Sequence, residues 1–254
     1  MIPEHIELVK STVPVLRESG VALTTYFYQR MLKNNPELNN VFNLDHQSTG
    51  RQPRALAAAV LAYAENIENP SVLAKAIEHI TTKHVSLDIR PEQYAIVGEN
   101  LLYSISEVLD VPMESDLIAA WKAAYFQLAD ILIGVEKQKY EDLAAQNGGW
   151  AGWRGFTISN VESTESGKRF TVKPQDNQSI IAGEEGSFIS VKVKVPGQDL
   201  EQPQQFTLVN ITSTESYSFD VKAEENATEL SVANILINSM TINDTVQVSA
   251  PVKR

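Results

Sequence analysis

The sequence predicts two architectures in one chain: an all-α domain, then a small antiparallel β-barrel. Up to about Gln146, apolar residues recur at three- and four-residue intervals; beyond it, strict two-residue alternation takes over. Between the two regimes lies AQNGGWAGWRGF, residues 145–156, with four glycines and two tryptophans. Turn clusters such as ESTESGK and PQDNQS then cut the second part into short runs.

The α-helical part justifies itself element by element. MIPEHIELVK opens directly on an amphipathic helical pattern, with no apolar stretch of the kind a signal peptide carries. Val21 to Leu32 keeps the helical period, and Pro36 opens a short helix where its missing N–H costs nothing. Gln52 to Ile67 is rich in Ala and Leu and carries Pro53 in its first turn. Val72 to His84 is amphipathic and ends in a loop that Pro91 closes. Pro91 to Leu109 and Pro112 to about Gln146 then give two long helices, each opened by proline.

In the second part, Ile189, Val191, Val193 and Val195 face one way and Ser190, Lys192 and Lys194 the other. Tyr217, Phe219 and Val221 alternate with Ser218 and Asp220, and Val246 and Val248 repeat the pattern. About six short strands in roughly 100 residues suit a small barrel, with Thr228 to Asn238 as its one helix. The glycines and tryptophans of residues 145–156 suit a hinge whose aromatics dock onto a neighbour.

Composition narrows the chemistry. Zero cysteine excludes disulfides, thiolate metal sites, iron–sulfur clusters and a cysteine nucleophile. The net charge of −11 is spread over both parts, with 12 basic and 19 acidic groups in residues 1–148 and 9 and 13 in the rest. No basic face or tail exists, which argues against nucleic acid or an anionic membrane as partner. No uninterrupted run of 18 apolar residues occurs, so no transmembrane segment is expected and the cytoplasm is the default location.

A few polar and aromatic residues sit oddly on the apolar helix faces. In TTKHVSLDIRPEQY, His84 stands ten residues ahead of Tyr94. A lone histidine carries no metal-site spacing, so a core imidazole and a ligand both remain open. Tyr28 follows Phe27, Phe42 lies at a corner, and Gln52 opens a helix. Glu136 sits in the apolar run DILIGVEKQKY, where burial would be costly without a partner. Each also has an ordinary reading, as core tyrosine, helix-start residue or exposed glutamate.

Together these positions resemble a known pattern. TYFYQRML, NPELNNVFN, QPRALA, AENIEN, KHVSLDIRPEQYAIVGENLL, AWKAAYFQLADILI and the NGGW linker make residues 1–147 similar to the globin domain of bacterial flavohemoglobins and related single-domain bacterial hemoglobins. The resemblance implies a globin fold that binds heme b, with His84 as the metal ligand on the proximal side. Glu136 and Tyr94 would form a network with the His84 ring that pushes electron density onto iron. Tyr28 and Gln52 would donate hydrogen bonds to bound dioxygen, Phe42 would stack on the porphyrin, and Leu56 would wall the pocket.

Residues 148–254 resemble, more weakly, the flavin-binding barrel of ferredoxin-reductase type that follows the globin in flavohemoglobins. The cues are GGWAGWRGFTI, EEGSFISV, QQFTLVN and LSVANIL. The family's Arg-x-Tyr-Ser flavin motif falls on Gln204, Phe206 and Thr207, and Gln204 lacks the charge phosphate wants. The pyrophosphate turn falls on Glu229-Leu230-Ser231-Val232-Ala233-Asn234, without its glycines. A degenerate barrel with FAD unlikely is therefore expected, and no dinucleotide signature suggests nicotinamide. The implied function is nitric oxide dioxygenase chemistry on O2 and NO, served by an external reductase. The alternative is a non-catalytic O2/NO carrier or heme-based sensor with the barrel as an interaction module. The sequence leaves the oligomeric state open.

Overall fold

The computed structural model describes residues 1–225 and 227–253. Helices α1 (Pro3–Ser11), α2 (Val13–Asn34), α3 (Leu44–Ser48), α4 (Arg51–Glu65), α5 (Ala74–Ser86), α6 (Pro91–Leu109) and α7 (Asp116–Ala145) come first. Strands β1 (Trp153–Thr164), β2 (Gly167–Pro174), β3 (Ser187–Lys194), β4 (Glu201–Thr207) and β5 (Tyr217–Lys222) follow. Helix α8 (Val232–Ser239) precedes β6 (Thr245–Ser249) and β7 (Val252–Lys253). The fold is a globin-like helical domain followed by an antiparallel sheet domain, the predicted class.

Compactness does not follow chain order. One unit holds Met1–Pro36, His46–Thr81 and Arg90–Val135; the other holds Glu37–Asp45, Thr82–Ile89 and the chain from Glu136 onward. In the first unit, α2 packs against α4 and α6. Leu23, Phe27 and Met31 bury one stripe of α2, as their four-residue spacing requires. Burying a side chain such as Phe27 contributes about 1.5–3 kcal/mol. The Thr24 hydroxyl donates to the Pro53 carbonyl at 2.7 Å and ties α2 to α4. Gly98 admits the Tyr125 ring, which a Cβ there would meet at 2.4 Å.

Local signals explain most boundaries. Gln93 accepts from the Arg90 amide at 2.9 Å and so caps α6, while Asp110, with φ 53°, ends it in the left-handed region. Helix α5 starts after a 3-10 turn at Pro70–Leu73 and runs two residues past His84. Helix α7 begins at Asp116, not at Pro112 as expected. Pro112 instead accepts from the Ser115 amide in a turn, and the Ser115 hydroxyl accepts from Ile118 at 3.4 Å. By length and composition α7 is apolar enough to cross a membrane, with a mean hydropathy of 1.3 over 18 of its residues, although no unbroken apolar run marks it. Charged residues dilute its run without removing its apolar face, and Ile118, Ala120, Trp121 and Ala124 are buried in protein.

In the second unit the sheet order is β4-β3-β6-β1-β2-β5, with β7 on β3. A bridge between Leu208 and Phe219 joins the end of β4 to β5 and closes the sheet into a barrel. Its core is the inward set the alternation predicts: Ile189, Val191, Val193, Val195, Tyr217, Phe219, Val221, Val246 and Val248. Ser190 points to the other face, yet it too is fully buried. Within the linker, Gly148 and Gly152 adopt φ of 74° and 80°, conformations that favour glycine. Trp150 packs on Phe156 and Tyr217, with ring centroids 5.9 and 6.4 Å away.

Candidate functional site

His84 lies near the end of α5 and shares the second unit with Glu136. Its Nδ1 stands 2.7 Å from Glu136 Oε1. The Glu136 side chain is only 3% exposed, and this bond gives its buried carboxylate a partner. With Nδ1 engaged by a carboxylate, Nε2 is the nitrogen suited to coordinate a metal. Among the described residues no group of three or more His, Asp or Glu could hold a bare metal ion. A single imidazole backed by a carboxylate is instead the donor set that suits a porphyrin iron.

The same face of α7 fixes the rest of this segment. Lys139 Nζ donates to Thr82 Oγ1 at 3.2 Å, and the Tyr140 hydroxyl donates to the Ile89 carbonyl at 2.8 Å. Residues 136, 139 and 140 are neighbours on a helix, so one stripe grips three points of residues 82–89. The His84 carbonyl accepts from Leu87 and Ile89 at 3.0 and 3.1 Å, closing the helix directly behind the imidazole.

Tyr28, Gln47 and Gln52 gather in the first unit. Burial pushes the Tyr28 hydroxyl well above the ordinary tyrosine range, against a smaller opposite pull from its hydrogen bond with Gln47. It therefore stays protonated and able to donate. Gln47 Nε2 donates to Gln52 Oε1. Gly50, with φ 70°, turns the chain into α4 and sets Gln52 in its first turn. Leu56 follows one turn later, partly buried. Gln47 escaped sequence reading: it lies in the short α3, where no period marks a face.

Phe42 lies in the second unit, partly buried, on a segment held by β4. Asn43 Nδ2 donates to the Pro203 carbonyl at 2.9 Å, and the Leu44 amide donates to Gln202 Oε1 at 2.8 Å. Tyr94 is buried in the first unit, and its carbonyl accepts from the Tyr125 hydroxyl at 2.7 Å. The structure thus joins His84 with Glu136, and Tyr28 with Gln52 through Gln47.

The positions of the flavin motif are also clear. Gln204 Nε2 donates to Glu224 at 3.0 Å, and its Oε1 accepts from the Ala233 amide at 3.3 Å. Ser231 caps α8 and donates to Glu224 at 2.9 Å. The Phe206 ring points into the barrel core, 5.0 Å from Phe219, whereas Thr207 is exposed. Glu229 is exposed and accepts from Gln198 at 3.2 Å.

Comparison with known proteins adds the context. Residues 25–132 match the Globin family profile. Flavohemoproteins of Chromobacterium violaceum and Bordetella pertussis are 45% and 46% identical to the chain over 248 and 252 residues, which is 96% and 98% of its length. The chain spans 61% and 62% of those relatives, about three fifths of their length. A bacterial globin from Campylobacter jejuni is 37% identical, with a TM-score of 0.53, over 55% of this chain and 99% of that one. The flavohemoglobin of Malassezia yamatoensis, solved with bound FAD and heme, is 24% identical. It superposes on all of this chain and 64% of its own with a TM-score of 0.87, which establishes the shared fold.

These findings correct the expectation of a degenerate barrel with FAD unlikely. Similarity to flavohemoproteins runs through both parts of the chain rather than stopping at the linker. A few side chains do not stand for a whole site. Each absent contact costs about 1.5–3 kcal/mol, but a cofactor the size of FAD is also held by backbone groups and by shape. Motif positions do not display either.

Proposed function

The chain belongs to the globin family, and we propose that it binds heme b through His84 and reacts O2 with NO in the manner of a nitric oxide dioxygenase. The observation that carries this reading is the 2.7 Å bond between His84 Nδ1 and the buried Glu136 carboxylate. Bound heme supplies a redox-active iron that takes diatomic ligands. Glu136 draws on the Nδ1 proton and makes the imidazole a stronger donor, which favours oxygen activation over storage. Tyr28, kept neutral by burial, and Gln52, oriented by Gln47, provide hydrogen bonds for a polar diatomic ligand. Phe42 and Leu56 are the apolar contacts proposed for the porphyrin, and Tyr94 is the proposed third member of the His84 network.

Likeness to flavohemoproteins through the second part supports FAD as a second cofactor, held by the barrel around β4 and α8. No nicotinamide signature occurs in these 254 residues, so we assign reduction of that flavin to a donor outside them, such as a reductase. The test is NO consumption by purified protein under O2 with an added reductase. Sustained turnover to nitrate supports the dioxygenase; loss of one NO per heme and no more would leave the carrier or sensor.

A further inference from the structure

We propose that Ser86, Ser190 and Gln205 position His84 by clamping the end of its helix onto strands β3 and β4; the inference rests on His84 being the iron ligand. Ser86 is the last residue of α5, two positions after His84, and is 1% exposed. Its hydroxyl donates to the Lys83 carbonyl at 2.8 Å. It accepts from the Ser190 hydroxyl at 3.0 Å and from Gln205 Nε2 at 2.9 Å. One donor and two lone pairs are a hydroxyl's full capacity, and all three are used.

The clamp is anchored behind. Ser190 is fully buried, and its amide donates at 2.9 Å to the hydroxyl of Ser249, itself 2% exposed. Helix end and sheet thus meet through a chain of buried polar groups. Apolar contact tolerates sliding; a saturated hydroxyl fixes direction. β4 adds a second hold, because Gln202 and Pro203 secure the segment carrying Phe42. Glu136 orients the imidazole from α7, and the clamp sets the height and rotation of the helix that bears it.

The experiment uses the full chain loaded with heme, as Ser86→Ala and Gln205→Ala. Thr171→Val is the control, since it removes a comparable bond to Ser218 elsewhere in the same unit. Resonance Raman spectra of the ferrous protein report the iron–histidine stretch. The expected result is a shifted or broadened line in both clamp variants and an unchanged line in the control. Amides of residues 82–89 should also exchange about tenfold faster, the effect of losing hydrogen bonds of ordinary strength. If Ser86→Ala does not fold, Gln205→Ala alone decides. A line present in wild type, lost in His84→Gly and unmoved by the clamp variants overturns the clamp only. A wild-type spectrum without that line, or one that survives His84→Gly, overturns the ligand assignment and the clamp together.

Discussion

His84 and Tyr28 belong to two polar clusters that differ in kind. The His84 cluster rests on a buried carboxylate, Glu136, and a stripe of α7 that grips three points of one short segment. The Tyr28 cluster is neutral, one phenol and two amides, and exchanging partners within it costs little charge desolvation. A fixed, charged cluster suits the permanent hold on a cofactor. A neutral cluster of donors suits ligands that come and go.

Glu136→Gln should break the charged side of this contrast most severely. It exchanges a charge-assisted bond for a neutral one in a buried site and should cost the heme-free protein about 1–2 kcal/mol, the difference between the two kinds of bond, read from the urea midpoint. A midpoint within error of wild type would mean that the carboxylate is not what holds His84. Tyr28→Phe should leave the fold intact and speed O2 release from the ferrous protein by about tenfold or more, with little change for carbon monoxide, a weak acceptor. Equal changes for both ligands would remove Tyr28 from the ligand's side. Gln47→Leu should act only through Gln52 and Tyr28, so about threefold on O2 release is expected, within the weak end of neutral hydrogen bonds. A larger effect than that of Tyr28→Phe would make Gln47 the direct donor.

A pH titration sharpens the comparison from another direction. Burial raises the hydroxyls of Tyr28, Tyr125 and Tyr217 above the ordinary range, which lies near 10. Their folded-state values exceed the unfolded ones, so their contribution is complete below about pH 10 and is lost as pH rises beyond it. Stability of the heme-free protein should therefore fall on the alkaline side of that value, and O2 release should stay flat across the neutral range. A step in O2 release between pH 7 and 9 would contradict a protonated Tyr28.

Much of this was legible in the sequence, and the exceptions share a cause. Glu136 betrayed itself as a charge inside an apolar helical run, and the inward faces of β3 and β5 follow from alternation. Gln47 was hidden because a five-residue helix has no period to violate. Ser86 lies two residues beyond the predicted end of its helix, in the stretch the pattern leaves as a loop, and Ser190 shares its strand face with Lys192 and Lys194. Both are buried because a segment distant in sequence covers them, and one-dimensional patterns do not record such coverage. The flavin positions mislead in the opposite sense, since a few altered side chains in the motif say little beside likeness along the whole second part.

Heme stoichiometry of three purified proteins, measured as the pyridine complex, tests the central claim most directly. Wild type and His79→Ala, which alters an exposed histidine of the same helix, should each carry close to one heme per chain, and His84→Ala should carry almost none while keeping its helical circular dichroism. Full heme in His84→Ala with an unchanged ferrous spectrum would contradict the assignment of the ligand.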